Sequence, residues 1–159
     1  MDLREKQKEI IELLASHEEI IAKLYKTYAE KFPANKQFWT VLHLEELDHA
    51  SWIRRLFPRI EEGVLSFNEN RFKAKIIKES FEHVEELIRL VQTKELTLMQ
   101  ALATGIDIEQ SLIESKFFEV YESDSHELKQ LLLSLQEAFL EHSARLKEAL
   151  KKRKSIKSS

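Results

Sequence analysis

The scarcity of helix-breaking residues is what most constrains the fold of this chain. Its 159 residues include only two glycines and two prolines, whereas glutamate, lysine, leucine, isoleucine and alanine are abundant. Most of these abundant residues have high helix propensity, and a chain with so few turn residues can make only a few connections. The sequence therefore predicts an all-α protein, built in one domain from long helices with short connections.

Apolar residues recur at the spacing of a helix face in five segments, which the few breakers separate. Pro33, Pro58 and a loop from about 61 to 70 separate the first three, and Ser123-Asp124-Ser125 is a turn and N-cap signal before the last. The predicted segments run from about Asp2 to Phe32, Lys36 to Phe57, Arg71 to Gln92, Thr97 to Glu122, and from the last turn to about Leu150. The helical domain is expected to span residues 1–152.

Composition excludes several classes of protein. The formal charge is -3 and Lys and Arg are interleaved with Glu, so nothing favours nucleic-acid binding. The chain contains no cysteine, which excludes disulfides, zinc–thiolate sites and iron–sulfur sites. The N-terminal string MDLREKQKEI is too charged for a signal peptide, and no apolar run approaches the roughly 18 residues of a membrane span. We therefore expect a cytoplasmic protein.

The C-terminal string KKRKSIKSS is basic. It is typical of a helix C-terminus whose lysines complement the helix dipole, followed by a frayed, disordered tail at 153–159. Contact with an anionic surface is the alternative interpretation.

Polar residues interrupt the apolar helix face of four segments, which we call the apolar stripe. They are Glu18 in the first, Glu46 and His49 in the second, Glu109 in the fourth and His142 in the fifth. A buried, unpaired carboxylate costs several kcal/mol, and proteins rarely keep one unless it is paired or binds a metal. Helices joined by short turns are antiparallel neighbours, and at 1.5 Å per residue the five residues fall within roughly one or two turns of the same height. We expect one polar layer at the centre of a bundle.

Each of these residues also has a plainer interpretation. A Glu-x-x-His spacing arises readily by chance in a glutamate-rich chain, and the pair could be exposed, contributing a few tenths of a kcal/mol. His142 could be a core histidine with its hydrogen bonds satisfied. Glu19 would replace Glu18 if the first helix is rotated, and Glu114 is a weaker alternative to Glu109.

The pattern resembles the ferritin-like superfamily, and its rubrerythrin-like branch in particular. Di-iron bundles of this kind take one Glu from each of two helices and a Glu-x-x-His from each of two others. The strings IAKLYKTYAEKFPANKQFWTVLHLEELDHA and TLMQALATGIDIEQSLIESKFFEV look rubrerythrin-like too. The resemblance covers about residues 8–150 and implies a ferritin-like antiparallel four-helix bundle, with the segment from Arg71 to Gln92 as an additional crossover helix.

The resemblance also implies a role for each polar residue. The metal ligands would be Glu18, Glu46, His49, Glu109 and His142. Tyr25 matches the tyrosine often found seven residues after the first-helix Glu, which makes it a candidate catalytic residue. The implied cofactor is iron, as a di-iron pair or a single ion, with manganese or zinc as alternatives. The implied activity is that of an oxidoreductase that reduces peroxide or oxidises iron.

A homodimer is a further implication of the resemblance. The aromatic residues Phe38, Trp39 and Trp52, which we expect to be exposed, are compatible with such an interface.

The chain departs from the family pattern at Phe139. This residue occupies the position of the Glu in the second Glu-x-x-His, which usually bridges both metals. The remaining three carboxylates cannot balance the four positive charges of a diferrous pair, so affinity for a second ion should suffer. Glu18, Glu46 and His49 would remain as a half-site for one metal.

Two other functions stay open on the sequence. One is a degenerate ferritin-like bundle without a complete dimetal site, acting as a structural or interaction protein. In it, the histidines would neutralise the carboxylates through charge-assisted hydrogen bonds. The other is a helical regulator or adaptor, which predicts that the stripe glutamates face solvent.

Overall fold

The computed structural model describes residues 3–62, 66–67, 74–111, 121–122 and 126–158. Within these residues the regular secondary structure is helical apart from one pair of two-residue strands, which confirms the all-α class. The chain divides into two compact units, one of residues 1–94 and 120–124 and the other of residues 95–119 and 125–159. In the described part of the chain, no helix combines the length and apolar character that crossing a membrane requires.

The first unit is built on three long helices. Its elements are α1 (Leu3–Lys31), a 3-10 turn (Pro33–Asn35), α2 (Lys36–Arg55), α3 (Phe57–Glu61), β1 (Ser66–Phe67), α4 (Ala74–Thr93) and β2 (Tyr121–Glu122). The strands β1 and β2 pair antiparallel, with Ser66 opposite Glu122 and Phe67 opposite Tyr121. Helix α1 packs against both α2 and α4.

Pro33 sets the boundary between α1 and α2. Phe32, the residue before it, has φ -120° and ψ 77°, outside the helical region. The proline ring clashes with a helical conformation of the preceding residue, and its fixed φ suits the first turn of the next helix. The chain therefore reverses within a few residues, and α2 returns alongside α1.

The second unit contains α5 (Leu98–Glu109) and α6 (His126–Ser158), which pack against each other. A capping box starts α5: the Thr97 hydroxyl accepts from the backbone N–H of Gln100 at 3.1 Å, and the Gln100 side chain accepts from the N–H of Thr97 at 2.9 Å. These two bonds satisfy donors that the first helical turn leaves unpaired.

Several predicted segment boundaries are wrong. The fourth segment does not continue as a helix to Glu122, because α5 ends at Glu109 and residues 121–122 form β2. Residues 66–67 of the predicted loop form the partner strand β1. Helix α6 continues beyond Leu150 to Ser158, since lysine and arginine are good helix formers and favour a helix C-terminus. The turn residues Ser123–Ser125 lie outside the described part of the chain.

The second segment also ends differently. Helix α2 stops at Arg55, and Pro58 lies in the first turn of the short helix α3 instead of terminating a helix. Proline is tolerated there because the first N–H groups of a helix have no intrahelical partner.

The prediction that Trp39 is exposed is wrong. Its side chain is fully buried, whereas Phe38 and Trp52 are half-buried. The Trp39 ring lies between two tyrosines of α1, with centroid distances of 5.6 Å to Tyr25 and 4.8 Å to Tyr28. Tilted and edge-on ring contacts of this kind add to the stabilisation from burial alone. Trp39 is thus a central residue in the contact between α1 and α2.

We expect Trp39→Ala to lower the free energy of unfolding by about 3–5 kcal/mol, because it removes a large, fully buried side chain and leaves a cavity. Trp52→Ala, on the same helix, should lower it by less than half as much, because Trp52 is half-buried. Urea unfolding followed by circular dichroism measures both values. Equal losses in the two variants would show that Trp39 does not anchor this contact.

Candidate metal centre

Two contacts fix the register of α2 against α1. The Nδ1–H of His43 donates to the backbone carbonyl of Ala22 at 2.7 Å. Further toward the turn, the rings of Trp39 and Tyr25 lie in contact. Because the helices run antiparallel, residues equally displaced from such a pair lie at the same level.

This register places two carboxylates, one on each helix, at the same height along the helix axes. Glu18 lies seven residues before Tyr25 on α1, and Glu46 lies seven residues after Trp39 on α2. Both displacements are close to two helical turns, or roughly 10 Å along the axis, in the same direction. Glu18 and Glu46 are 1% and 0% exposed. The first unit therefore holds two buried carboxylates at one height.

Burial favours Glu18 over its neighbour as the inward-facing residue of α1. Glu19 is partly exposed and accepts a hydrogen bond at 2.7 Å from Arg54, which also bonds Glu12. The hydrogen bond with Glu19 raises the pKa of Arg54 above its usual value. Glu19 thus already has a role, as an ion-pair partner between α1 and α2 at the rim of the helix pair.

His49 lies beside Glu46 on α2. Its Nδ1 lies 3.4 Å from Oε2 of Glu46, and its side chain is buried. A charge-assisted hydrogen bond between these groups would be shorter, at about 2.7–2.9 Å. A nitrogen and an oxygen that each bind one metal ion at about 2.0–2.2 Å are about 3 to 3.6 Å apart at ordinary bond angles. The contact is therefore a long hydrogen bond, at a distance that two ligands of a single ion would also have.

The second unit holds a similar pair. Nδ1 of His142 on α6 lies 3.7 Å from Oε1 of Glu109, the last residue of α5, and both side chains are buried. This separation is just beyond the spacing of about 3 to 3.6 Å for two ligands of one ion, and it is too long for a hydrogen bond. A carboxylate and an imidazole are thus placed together in each unit.

Phe139 is close in sequence to His142, the member of the second pair that lies on α6. It precedes His142 by three residues, so the two share a helix face, and its side chain is buried. A phenyl ring supplies no metal ligand and no charge. Among the described side chains of α5 and α6, the buried carboxylate is Glu109 and the buried histidine is His142.

Tyr25, the candidate catalytic residue, is fully buried and contacts the Trp39 ring. It lies about two helical turns from Glu18, on the same face of α1. Glu114, the alternative to Glu109, lies outside the described residues. The sequence predictions for the five ligands thus correspond to five buried side chains, and the prediction that all five form one layer stays a prediction.

Two histidines of the first unit escaped the sequence analysis. His17 is buried and its Nε2 lies 2.7 Å from the hydroxyl of Ser80, which joins α1 to α4. His43 bonds the carbonyl of Ala22, so the neutral ring carries its proton on Nδ1 and leaves Nε2 unprotonated. His43 precedes Glu46 by three residues. This i,i+3 spacing places both residues on the same face of α2, and it was the sign in the sequence that His43 faces α1.

The adaptor hypothesis makes a prediction that the structure contradicts. It requires the stripe glutamates to face solvent, but Glu18, Glu46 and Glu109 are all buried.

We expect Glu46→Gln to change the stability of the metal-free protein by less than about 1.5 kcal/mol at pH 8. The neutral amide keeps the volume of the side chain and an oxygen beside Nδ1 of His49, so the contact between the two residues is retained. Chemical denaturation in excess chelator measures the change, with the exposed Glu30→Gln as a matched control. A loss of more than about 1.5 kcal/mol would show that the carboxylate is a structural hydrogen-bond acceptor.

Comparisons of the chain with protein-family models, with curated proteins and with solved structures find no significant match.

Proposed function

We propose that this protein is a ferritin-like, rubrerythrin-like metal-binding protein, whose principal site holds one divalent transition-metal ion through Glu18, Glu46 and His49. Iron is the ion we favour, with manganese and zinc as alternatives. The observation that carries the proposal is the His49–Glu46 pair. It is buried, and its nitrogen and oxygen lie at ligand spacing, 3.4 Å apart.

The donor set suits such an ion. Two carboxylates balance the charge of a divalent cation, and a neutral imidazole adds a nitrogen ligand. Carboxylate and imidazole ligands together are typical of iron, manganese and zinc sites, whereas magnesium and calcium prefer oxygen alone. In the absence of cysteine, no thiolate competes for the metal.

The resemblance in sequence leads us to propose the ferritin-like arrangement of α1, α2, α5 and α6, with α4 as the crossover helix. In that arrangement Glu109 and His142 would face the principal site from the opposite side. Their own separation of 3.7 Å within the second unit supports a role as ligands.

When bound, iron would supply a centre that can exchange one electron with peroxide or oxygen. The residues of the chain bind it and exclude water. Glu18 and Glu46 supply charge, and His49 must be neutral to bind, so metal uptake releases a proton whenever this histidine is protonated. The buried rings of Tyr25 and Trp39 close the side of the site toward the helix turn.

A degenerate bundle without metal is the second candidate. Phe139 favours it, because a buried phenyl replaces a carboxylate. In this alternative each histidine neutralises the glutamate beside it, and the protein acts as a scaffold or an interaction partner.

Metal analysis separates the two candidates. After loading with Fe(II) under anaerobic conditions and desalting, we expect about one ion per chain, because only one half-site has two carboxylates. Glu46→Gln and His49→Ala should each reduce the content at least about tenfold, by removing a ligand. Plasma mass spectrometry measures the content, and peroxide consumption by the loaded protein tests for redox turnover.

The controls for this experiment are Glu30→Gln and His83→Ala, which change exposed residues of the same types. Both should bind metal as the unchanged protein does. Absence of metal in every preparation, or equal binding by the ligand variants, contradicts the proposal and favours the scaffold.

We expect Phe139→Glu to raise the metal content from about one toward two ions per chain, because it restores the second Glu-x-x-His and the missing negative charge. Without metal, the variant should be less stable than the unchanged protein, because it buries a further carboxylate. Metal titration followed by mass spectrometry and by thermal unfolding measures both effects. A folded variant that still binds one ion would show that Phe139 is not the reason for the incomplete site.

A further inference from the structure

Positive charge is concentrated at the C-terminal end of α6. Residues 147–157 contain six basic residues and one acidic residue, in a chain whose formal net charge is -3. Among the described side chains, Lys147, Lys151, Lys152, Arg153 and Lys154 are all exposed. Because α6 continues to Ser158, these residues are arranged on a helix. A cluster of this kind attracts an anionic partner.

The same face of α6 exposes two large apolar side chains. Leu133 and Leu140 are 52% and 63% exposed. They are seven residues apart, and Lys147 and Lys154 continue the same heptad spacing. With 3.6 residues per turn, these four positions lie within about 60° around the helix. We call this stripe, leucines first and lysines after, the outer face of α6.

A cavity of about 230 Å³ opens beside the basic end of the outer face, within the second unit. It is lined by two apolar and three basic side chains: Ile106, Leu150, Lys147, Lys151 and Lys154. Lysine places its ammonium group in a polar region while its carbon chain covers an apolar surface. The cavity is therefore lined by both apolar surface and positive charge, a combination that suits an anionic amphiphile.

We propose that the outer face of α6 binds the surface of an anionic phospholipid bilayer, with the helix lying flat in the interface. Leu133 and Leu140 enter the boundary between headgroups and acyl chains, and the lysines contact the phosphates. Amphipathic helices with basic residues beside exposed leucines bind membranes in this way.

The arrangement favours a bilayer over two other partners. A nucleic acid would contact the lysines and leave both exposed leucines in water. A second copy in parallel register would place Lys147 and Lys154 against identical charges. A bilayer accommodates both halves of the face at once.

Vesicle sedimentation of the full chain tests the proposal. We expect binding to vesicles that contain phosphatidylglycerol and little binding to pure phosphatidylcholine, with a strong decrease between about 0.1 M and about 1 M salt as charges are screened. The variant Lys147→Gln/Lys151→Gln/Lys154→Gln should bind the anionic vesicles at least about tenfold more weakly. Leu140→Gln should also weaken binding, because it removes an apolar contact.

The matched control is Lys26→Gln/Lys31→Gln/Lys36→Gln, which removes three exposed lysines of the first unit and should bind as the unchanged protein does. Equal loss in the two triple variants would overturn the proposal. It would also be overturned by tighter binding to duplex DNA than to anionic vesicles. Self-association that Leu140→Gln abolishes, in a chain that does not bind vesicles, would assign the face to a second copy instead.

Discussion

Two buried carboxylates on neighbouring helices impose the constraint on which the first unit depends. Glu18 and Glu46 lie at the same level of α1 and α2, and both are almost completely removed from solvent. Burying one such charge is unfavourable by several kcal/mol, and two together also repel each other. The contacts that each carboxylate makes must therefore offset this penalty. A bound divalent cation would reduce both the cost of burying the charges and the repulsion between them. This is the physical basis for regarding Glu18 and Glu46 as metal ligands.

The aromatic contact near the helix turn holds the carboxylates in place. Trp39 packs between Tyr25 and Tyr28, and the bond from His43 to the carbonyl of Ala22 fixes the same register closer to the site. At the other end of the pair, Arg54 joins α2 to Glu12 and Glu19 of α1. The two ion pairs of Arg54 are partly exposed, so water screens them and they add little to stability. Most of the stabilisation therefore comes from the buried rings and aliphatic side chains.

The positions of the helices and of the buried polar residues could be predicted from the sequence, because both depend on the spacing of residues within one segment. Helical periodicity places Glu18, Glu46 and His49 on the apolar stripes, and Pro33 marks the reversal between α1 and α2. Trp39 was mistaken for a surface residue, although it lies seven residues before Glu46 on the same stripe. The distinction between Glu18 and Glu19 needs the rotation of α1, which depends on packing.

Non-local contacts explain the segment boundaries that the sequence analysis missed. Residues 121–122 end the predicted fourth helical segment, yet they pair as a strand with residues 66–67, far away in the chain. Propensity within a short window cannot anticipate such a partner, because strand formation depends on the neighbour that supplies the hydrogen bonds. The hydrogen bonds of His17 and His43 also join residues on different helices, and composition gives no sign of them.

The central claim is that Glu18, Glu46 and His49 bind one metal ion, and anomalous X-ray diffraction tests it most directly. Crystals grown with Mn(II) or Fe(II) would be measured on both sides of the absorption edge of the metal. A bound ion would give an anomalous peak about 2.0–2.2 Å from Nδ1 of His49 and from carboxylate oxygens of Glu18 and Glu46. Metal-saturated crystals with no peak there would contradict this assignment.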